Sequence, residues 1–190
     1  MGKLILILGG ARSGKSTYAE NLAKEHGGGV LYIATAEAKD EEMDARIEQH
    51  HANRPADWGL IETPRNVAQA IRQGRSGEKV VLVDCITFLV SNYLLAAAGP
   101  EDDPFDEPSA DPFDERIEAD VIADVEALAA YARAEDVTML VVSNEVGMGL
   151  VPAYELGRAY RDILGRANQT LARHADEIFL LVAGIPMRVK

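Results

Sequence analysis

Residues 9–16 read Gly-Gly-Ala-Arg-Ser-Gly-Lys-Ser, directly after the apolar run 4–8 and directly before a helical pattern that continues to His26. The spacing is G-x-x-x-x-G-K-S in a strand–loop–helix context, the phosphate-binding P-loop. It constrains the fold because a buried strand must deliver the loop and a helix must leave it. The glycines let the backbone curl so that successive N–H groups point at phosphate oxygens. The following helix adds its positive N-terminal end. Gly9, Gly10, Ala11, Arg12, Ser13 and Gly14 are therefore expected to cradle a nucleoside triphosphate. Lys15 is expected to reach its β- and γ-phosphates, and the Ser16 hydroxyl to ligate Mg²⁺.

The rest of the chain alternates strand and helix signals. Strands are expected at 4–8, 30–34, 79–84, 138–143 and 177–182, with a short edge strand at 186–190. Helices are expected at 16–26, 40–53, 66–75, 87–98, 116–134 and 156–174. Such alternation predicts an α/β fold, a single-domain P-loop NTPase of the RecA-like type over 1–190, with a mostly parallel sheet flanked by helices on both faces. Residues 99–115 differ: they hold four of the eight prolines, many acids, and the near-repeat Asp103-Pro104-Phe105-Asp106-Glu107, Asp111-Pro112-Phe113-Asp114-Glu115. They are expected to form an acidic surface loop or insertion, its two phenylalanines either solvated or docked.

Bulk properties exclude several classes. The net charge of −12 argues against a nucleic-acid binder, which needs a basic stripe. No apolar run approaches the roughly 20 residues that span a bilayer. The single Cys85 cannot form an internal disulfide and suits a reducing, cytoplasmic setting. A signal peptide would have to be cut through the nucleotide site, so none is expected.

Other residues carry chemistry by position. Asp84 ends a strand of four apolar residues, where P-loop proteins hold the second anchor of Mg²⁺; a strand-end cap is the alternative. Cys85 reads as core filler. Arg46 and His50 lie four apart on one helical face, with His51 next. Imidazole is a good nucleophile toward phosphorus, yet a histidine on a charged helix is ordinarily a surface residue. Residues 143–149, Ser-Asn-Glu-Val-Gly-Met-Gly, follow a strand and suit a binding loop or an ordinary turn. The polar helix with Arg158, Arg161, Arg166 and Asn168 suits a solvated face, a phosphate contact or a neighbouring chain.

In this order the segments resemble the bifunctional adenosylcobinamide kinase/adenosylcobinamide-phosphate guanylyltransferase family of cobalamin biosynthesis. The matching stretches are GGARSGKS at 9–16, YIATA at 32–36, DEEMDARIEQHHANRPADW at 40–58 and VDCIT at 83–87. They continue with SNEVGMGLVP at 143–152, GRAYRDILGRANQTLARHAD at 157–176 and VAGIPMRVK at 182–190; only about 97–118 has no counterpart. The resemblance implies that adenosylcobinamide takes the γ-phosphoryl group of ATP or GTP. GMP from GTP then passes through a histidine to adenosylcobinamide phosphate, giving adenosyl-GDP-cobinamide. The family's guanylylated histidine, in R-I-x-x-H, falls on His50. Further nucleotide contacts fall on Ala34, Thr35, Ala36, His51, Ala52, Asn53, Arg54, Glu62 and Asp84, and Mg²⁺ on Ser16 and Asp84. The family also implies a homotrimer with sites near subunit interfaces. Two other readings remain open on residues alone: a nucleotide-dependent switch, although N-K-x-D is missing, and a small-metabolite kinase without the transferase step.

Overall fold

The computed structural model describes residues 2–37, 55–97 and 111–190. Among the described residues seven strands form one sheet: β1 (Lys3–Gly9), β2 (Val30–Ala34), β3 (Gly59–Glu62), β4 (Val80–Asp84), β5 (Thr138–Asn144), β6 (Glu177–Val182) and β7 (Ile185–Arg188). Their spatial order is β3-β2-β4-β5-β1-β6-β7. All pairings are parallel except β6 with β7, which is antiparallel. The helices are α1 (Lys15–His26), α2 (Val67–Gly74), α3 (Ile86–Ala97), α4 (Glu115–Ala134) and α5 (Glu155–His174).

Strands buried on both faces read as continuous apolar runs, and the period of two then sorts them. Leu4, Leu6, Leu31, Ile33, Val81, Val83, Met139 and Val141 join the core under α2 to α5. Ile5, Ile7, Val30, Tyr32, Val80, Leu82, Leu140 and Val142 join the core under α1. Helix α1 presents only Lys15, Ala19 and Ala23 as buried residues, four apart. Small residues at that spacing let the helix lie close on the sheet and hold the P-loop hard against the strand ends. It ends at Gly27 and Gly28, both in the left-handed region. A Cβ at Gly28 would sit 2.9 Å from Lys79 Cβ, so this turn can pack beside the start of β4 only as glycine.

The expected strands and helices recur within a residue or two where they are described, with β7 at Ile185–Arg188 in place of 186–190. Strand β3 is additional. The expected helix at 40–53, and with it His50, His51, Ala52, Asn53 and Arg54, lies outside the described residues. So does most of the acidic segment. Its described end is a turn at 112–113, where Asp114 caps α4 by accepting from Arg116 N at 2.9 Å.

Candidate active site

In a parallel sheet the carboxyl ends of the strands share one edge, and ligands bind in the crevice outside it. Here that edge carries Gly9 from β1, Ala34 from β2, Glu62 from β3, Asp84 from β4 and Asn144 from β5. Register fixes their relations. Glu62 pairs with Ala34, Ala34 with Asp84, and Gly9 with Asn144. The fold thus gathers Glu62, Ala34 and Asp84, three residues separate in sequence, into one cross-strand row.

The P-loop springs from Gly9. A Cβ there would lie 2.6 Å from Ser13 Oγ and 2.7 Å from the Leu181 carbonyl oxygen, so the loop curls back tightly enough to exclude any side chain. Arg12 and Gly14 have positive φ, 55° and 90°, which turns the loop N–H groups inward before α1 begins. Ser13 N donates to Gly10 O at 3.3 Å, and Gly184 N in the β6–β7 turn donates to Ser13 O at 3.0 Å. Ser13 Oγ is buried and finds no partner among the described residues.

Lys15 is 8% exposed, and its Nζ donates to Gly10 O at 2.6 Å. Burial lowers its pKa below the ordinary lysine value; the nearby Asp84 carboxylate opposes the shift. The ammonium is therefore held inside the loop, one exchange of partner from a phosphate oxygen. Ser16, half-buried, follows on the first turn of the same helix. Asp84 accepts a hydrogen bond from Tyr32 OH at 3.1 Å. Burial, and then the Asp84 charge, push the Tyr32 phenol well above its usual range, so it stays protonated and donating. Cys85 is buried, and its thiol is pushed up to about 12, mainly by desolvation. It is not thiolate at neutral pH, which agrees with a packing role.

Thr35 is fully buried. Its hydroxyl donates to Cys85 O at 2.7 Å and accepts from Cys85 N at 2.8 Å, while its N–H donates to Asp84 O at 3.2 Å. Its carbonyl accepts from Asn92 Nδ2 at 2.7 Å. The Thr35 side chain therefore fastens the end of β2 to that of β4 and positions Asp84. Asn92, the buried polar residue in the apolar helix α3, and Tyr32, the hydroxyl-bearing residue of β2, belong to this support. Sequence reasoning passed over both; a polar group inside an apolar run was the available signal. Thr87 is a third: its Oγ1 accepts from Asn144 N at 3.0 Å, and Asn168 Nδ2 donates to Asn144 O at 2.9 Å. Arg161 and Arg166 instead pair with Asp162 and Glu118.

The Ser16 hydroxyl and Asp84 carboxylate are hard oxygen donors of the kind Mg²⁺ accepts together with phosphate oxygens and water. Among the described residues, no three His, Cys, Asp or Glu side chains cluster to hold a metal. A donor set this sparse fits an ion that arrives with a nucleotide. No described helix is long and apolar enough to cross a membrane.

Comparison with known proteins places this geometry. A family model described as cobinamide kinase / cobinamide phosphate guanyltransferase matches residues 5–189. The chain is 40% identical over 188 residues to the bifunctional adenosylcobalamin biosynthesis protein CobU of Escherichia coli (strain K12), covering 98% of this chain and 99% of that protein. It is 42% identical over 187 residues to the CobU of Salmonella typhimurium, covering 98% and 99%. Against the CobP of Pseudomonas aeruginosa it is 41% identical over 185 residues, covering 97% and 96%. The solved RadB recombinase superposes with a TM-score of 0.52 at 17% identity, over 94% of this chain and 74% of that one. At that identity the likeness shows the fold alone, that of RecA-like P-loop proteins. With a P-loop at the head of such a sheet and full-length relatives at about 40% identity, the chain belongs to the cobinamide kinase/cobinamide phosphate guanyltransferase family.

Proposed function

We propose that this enzyme uses one phosphate cradle for two successive reactions in the cytoplasm. In the first, the aminopropanol hydroxyl of adenosylcobinamide attacks the γ-phosphorus of ATP or GTP. A new P–O bond forms, the bond to the β-bridging oxygen breaks, the hydroxyl proton is lost and the nucleoside diphosphate departs. In the second, an imidazole nitrogen of His50 attacks the α-phosphorus of GTP and pyrophosphate leaves. A phosphate oxygen of adenosylcobinamide phosphate then displaces the histidine, breaking the P–N bond and giving adenosyl-GDP-cobinamide. The transfer is thereby split into two displacements, each with a good leaving group.

The observation that carries this reading is the buried Lys15 ammonium, held on Gly10 O inside the P-loop. It is placed to move onto triphosphate oxygens, and fixed positive charge of this kind is the main catalytic resource in phosphoryl transfer. The glycine-rich backbone binds and orients the phosphates. Ser16 and Asp84 are the residues that would hold Mg²⁺, which supplies charge neutralisation when bound. Ala34, Thr35, Ala36, Glu62 and residues 51–54 complete the nucleotide contacts in this reading. It also includes a homotrimer and one domain spanning 1–190, with the acidic segment as an insertion.

The test is transfer from differently labelled nucleotides. With adenosylcobinamide present, γ-labelled ATP or GTP should mark the corrinoid product. With adenosylcobinamide phosphate present, α-labelled GTP should mark it instead. Label appearing only as inorganic phosphate would overturn the proposal.

A further inference from the structure

We propose that the segment 146–154, between β5 and α5, is the docking platform for the corrin macrocycle of the substrate. This rests on the kinase and guanylyltransferase reading above and names the part of the substrate that a P-loop cannot hold.

Three observations combine. The first is position. Asn144 pairs with Gly9 across β5 and β1, and Glu145 N donates to Gly9 O at 3.0 Å. The segment therefore leaves the sheet beside the phosphate cradle. Leu150 is five residues beyond Glu145, which limits its reach to about 17 Å.

The second is fixation. Glu145 Oε1 accepts from Gly147 N at 2.7 Å. At the far end Arg158 Nη1 donates to Ala153 O at 2.7 Å and Pro152 O at 3.3 Å. Gly157 packs so closely that a Cβ there would meet Tyr154 Cε2 at 2.6 Å and Pro152 Cβ at 2.9 Å.

The third is display. Between these anchors, Met148 is 78% exposed, Leu150 96% and Val151 64%. A segment tied down by polar bonds at both ends that turns three large apolar side chains to water is built to be covered.

The substrate's chemistry identifies what covers it. A corrinoid presents broad apolar faces far larger than a nucleotide, and its reactive hydroxyl sits at the end of an arm. That hydroxyl must reach the γ-phosphoryl group in the P-loop, so the macrocycle must rest on an apolar surface continuous with the loop. Segment 146–154 begins one residue past Glu145, whose N–H is bonded to Gly9 O, and offers three exposed apolar side chains there; a methionine thioether adapts well to an irregular partner. Among the described residues a second exposed apolar set, Val182, Ile185, Met187 and Val189, lies on and just after the β6–β7 hairpin, whose turn is also bonded to the P-loop through Gly184 N and Ser13 O, but β7 is the open edge of the sheet. An edge offers backbone groups, which suit a protein strand better than a macrocycle.

The experiment uses the full chain and the double variant Met148→Ser/Leu150→Ser, with adenosylcobinamide as the varied substrate. KM for adenosylcobinamide should rise about tenfold or more, as expected when two apolar contacts are lost. Its kcat, the KM for ATP and covalent labelling by GTP should stay within about twofold, the pattern of lost ground-state binding. Leu150→Met, which keeps the apolar surface, should behave as wild type. An unchanged KM in the double variant overturns the platform. A raised KM accompanied by loss of the assembly in sedimentation also overturns it, because the surface would then serve a second copy of the chain. Failure of the wild-type chain to phosphorylate adenosylcobinamide would instead overturn the underlying reading.

Discussion

Lys15 shows how function is set against stability at one residue. Its ammonium is buried beside a single carbonyl, and desolvation lowers its pKa while the Asp84 charge only partly compensates. The folded state thus disfavours the charged form relative to the unfolded chain. The penalty is present in full below the lowered pKa and fades as pH rises toward the ordinary lysine value of 10.5. Lys15→Met should accordingly raise the stability of the nucleotide-free protein by about 1 kcal/mol, or about 3 °C in Tm, at neutral pH. The gain over wild type should shrink on titration toward 10.5, and both transfer activities should fall by about a hundredfold or more. A melting series across pH, run beside activity assays, measures all three. A lower Tm for the variant at neutral pH would show that the Gly10 contact outweighs desolvation. The P-loop spacing marked Lys15 as a phosphate ligand. Its resting place on Gly10 O was not legible, because that depends on how tightly the loop closes over Gly9.

At the scale of elements, the site depends on how strand ends are joined. Thr35 connects β2 to β4 through both backbone groups of Cys85, and Asn92 of α3 holds Thr35 in turn. Thr35→Val keeps the shape and removes the hydroxyl, leaving two buried backbone groups without this partner. We expect a loss of about 2 kcal/mol in denaturant unfolding. Nucleotide binding should weaken as Asp84 loses its fixed position; a loss of stability with unaltered nucleotide affinity would separate the clamp from the site. Strands β1, β2, β4 and β5 were legible as apolar runs because both faces are covered, and β6 as an apolar run that is only partly buried. Strand β3 was not: Leu60 and Ile61 are its only large apolar residues, it pairs with β2 alone, and its middle is only half-buried. The Thr35 clamp escaped notice for a related reason. A threonine after a strand looks like an ordinary turn residue until the neighbouring strand end is known.

In the molecule as a whole, parallel strands deliver Gly9, Ala34, Glu62, Asp84 and Asn144 to one edge, so topology gathers most of the proposed nucleotide contacts among the described residues. The chain carries a net charge of −12, so in the proposed reading positive charge for a triphosphate is local, and Lys15 and the start of α1 supply part of it. The fold class followed from strand–helix alternation around one motif. The proposed nucleophile did not: no spacing rule separates His50 from His51, and only resemblance to a family selects it. In the proposed mechanism one cradle presents the γ-phosphorus to a substrate hydroxyl and the α-phosphorus to His50. Intact-mass measurement after incubation with GTP and Mg²⁺ distinguishes this from a simple kinase or switch. The wild-type chain should gain the mass of one GMP and lose it in acid, as a phosphoramidate does, and His50→Ala should gain nothing. A wild-type chain of unchanged mass, or a His50→Ala chain labelled to the same extent, would contradict it.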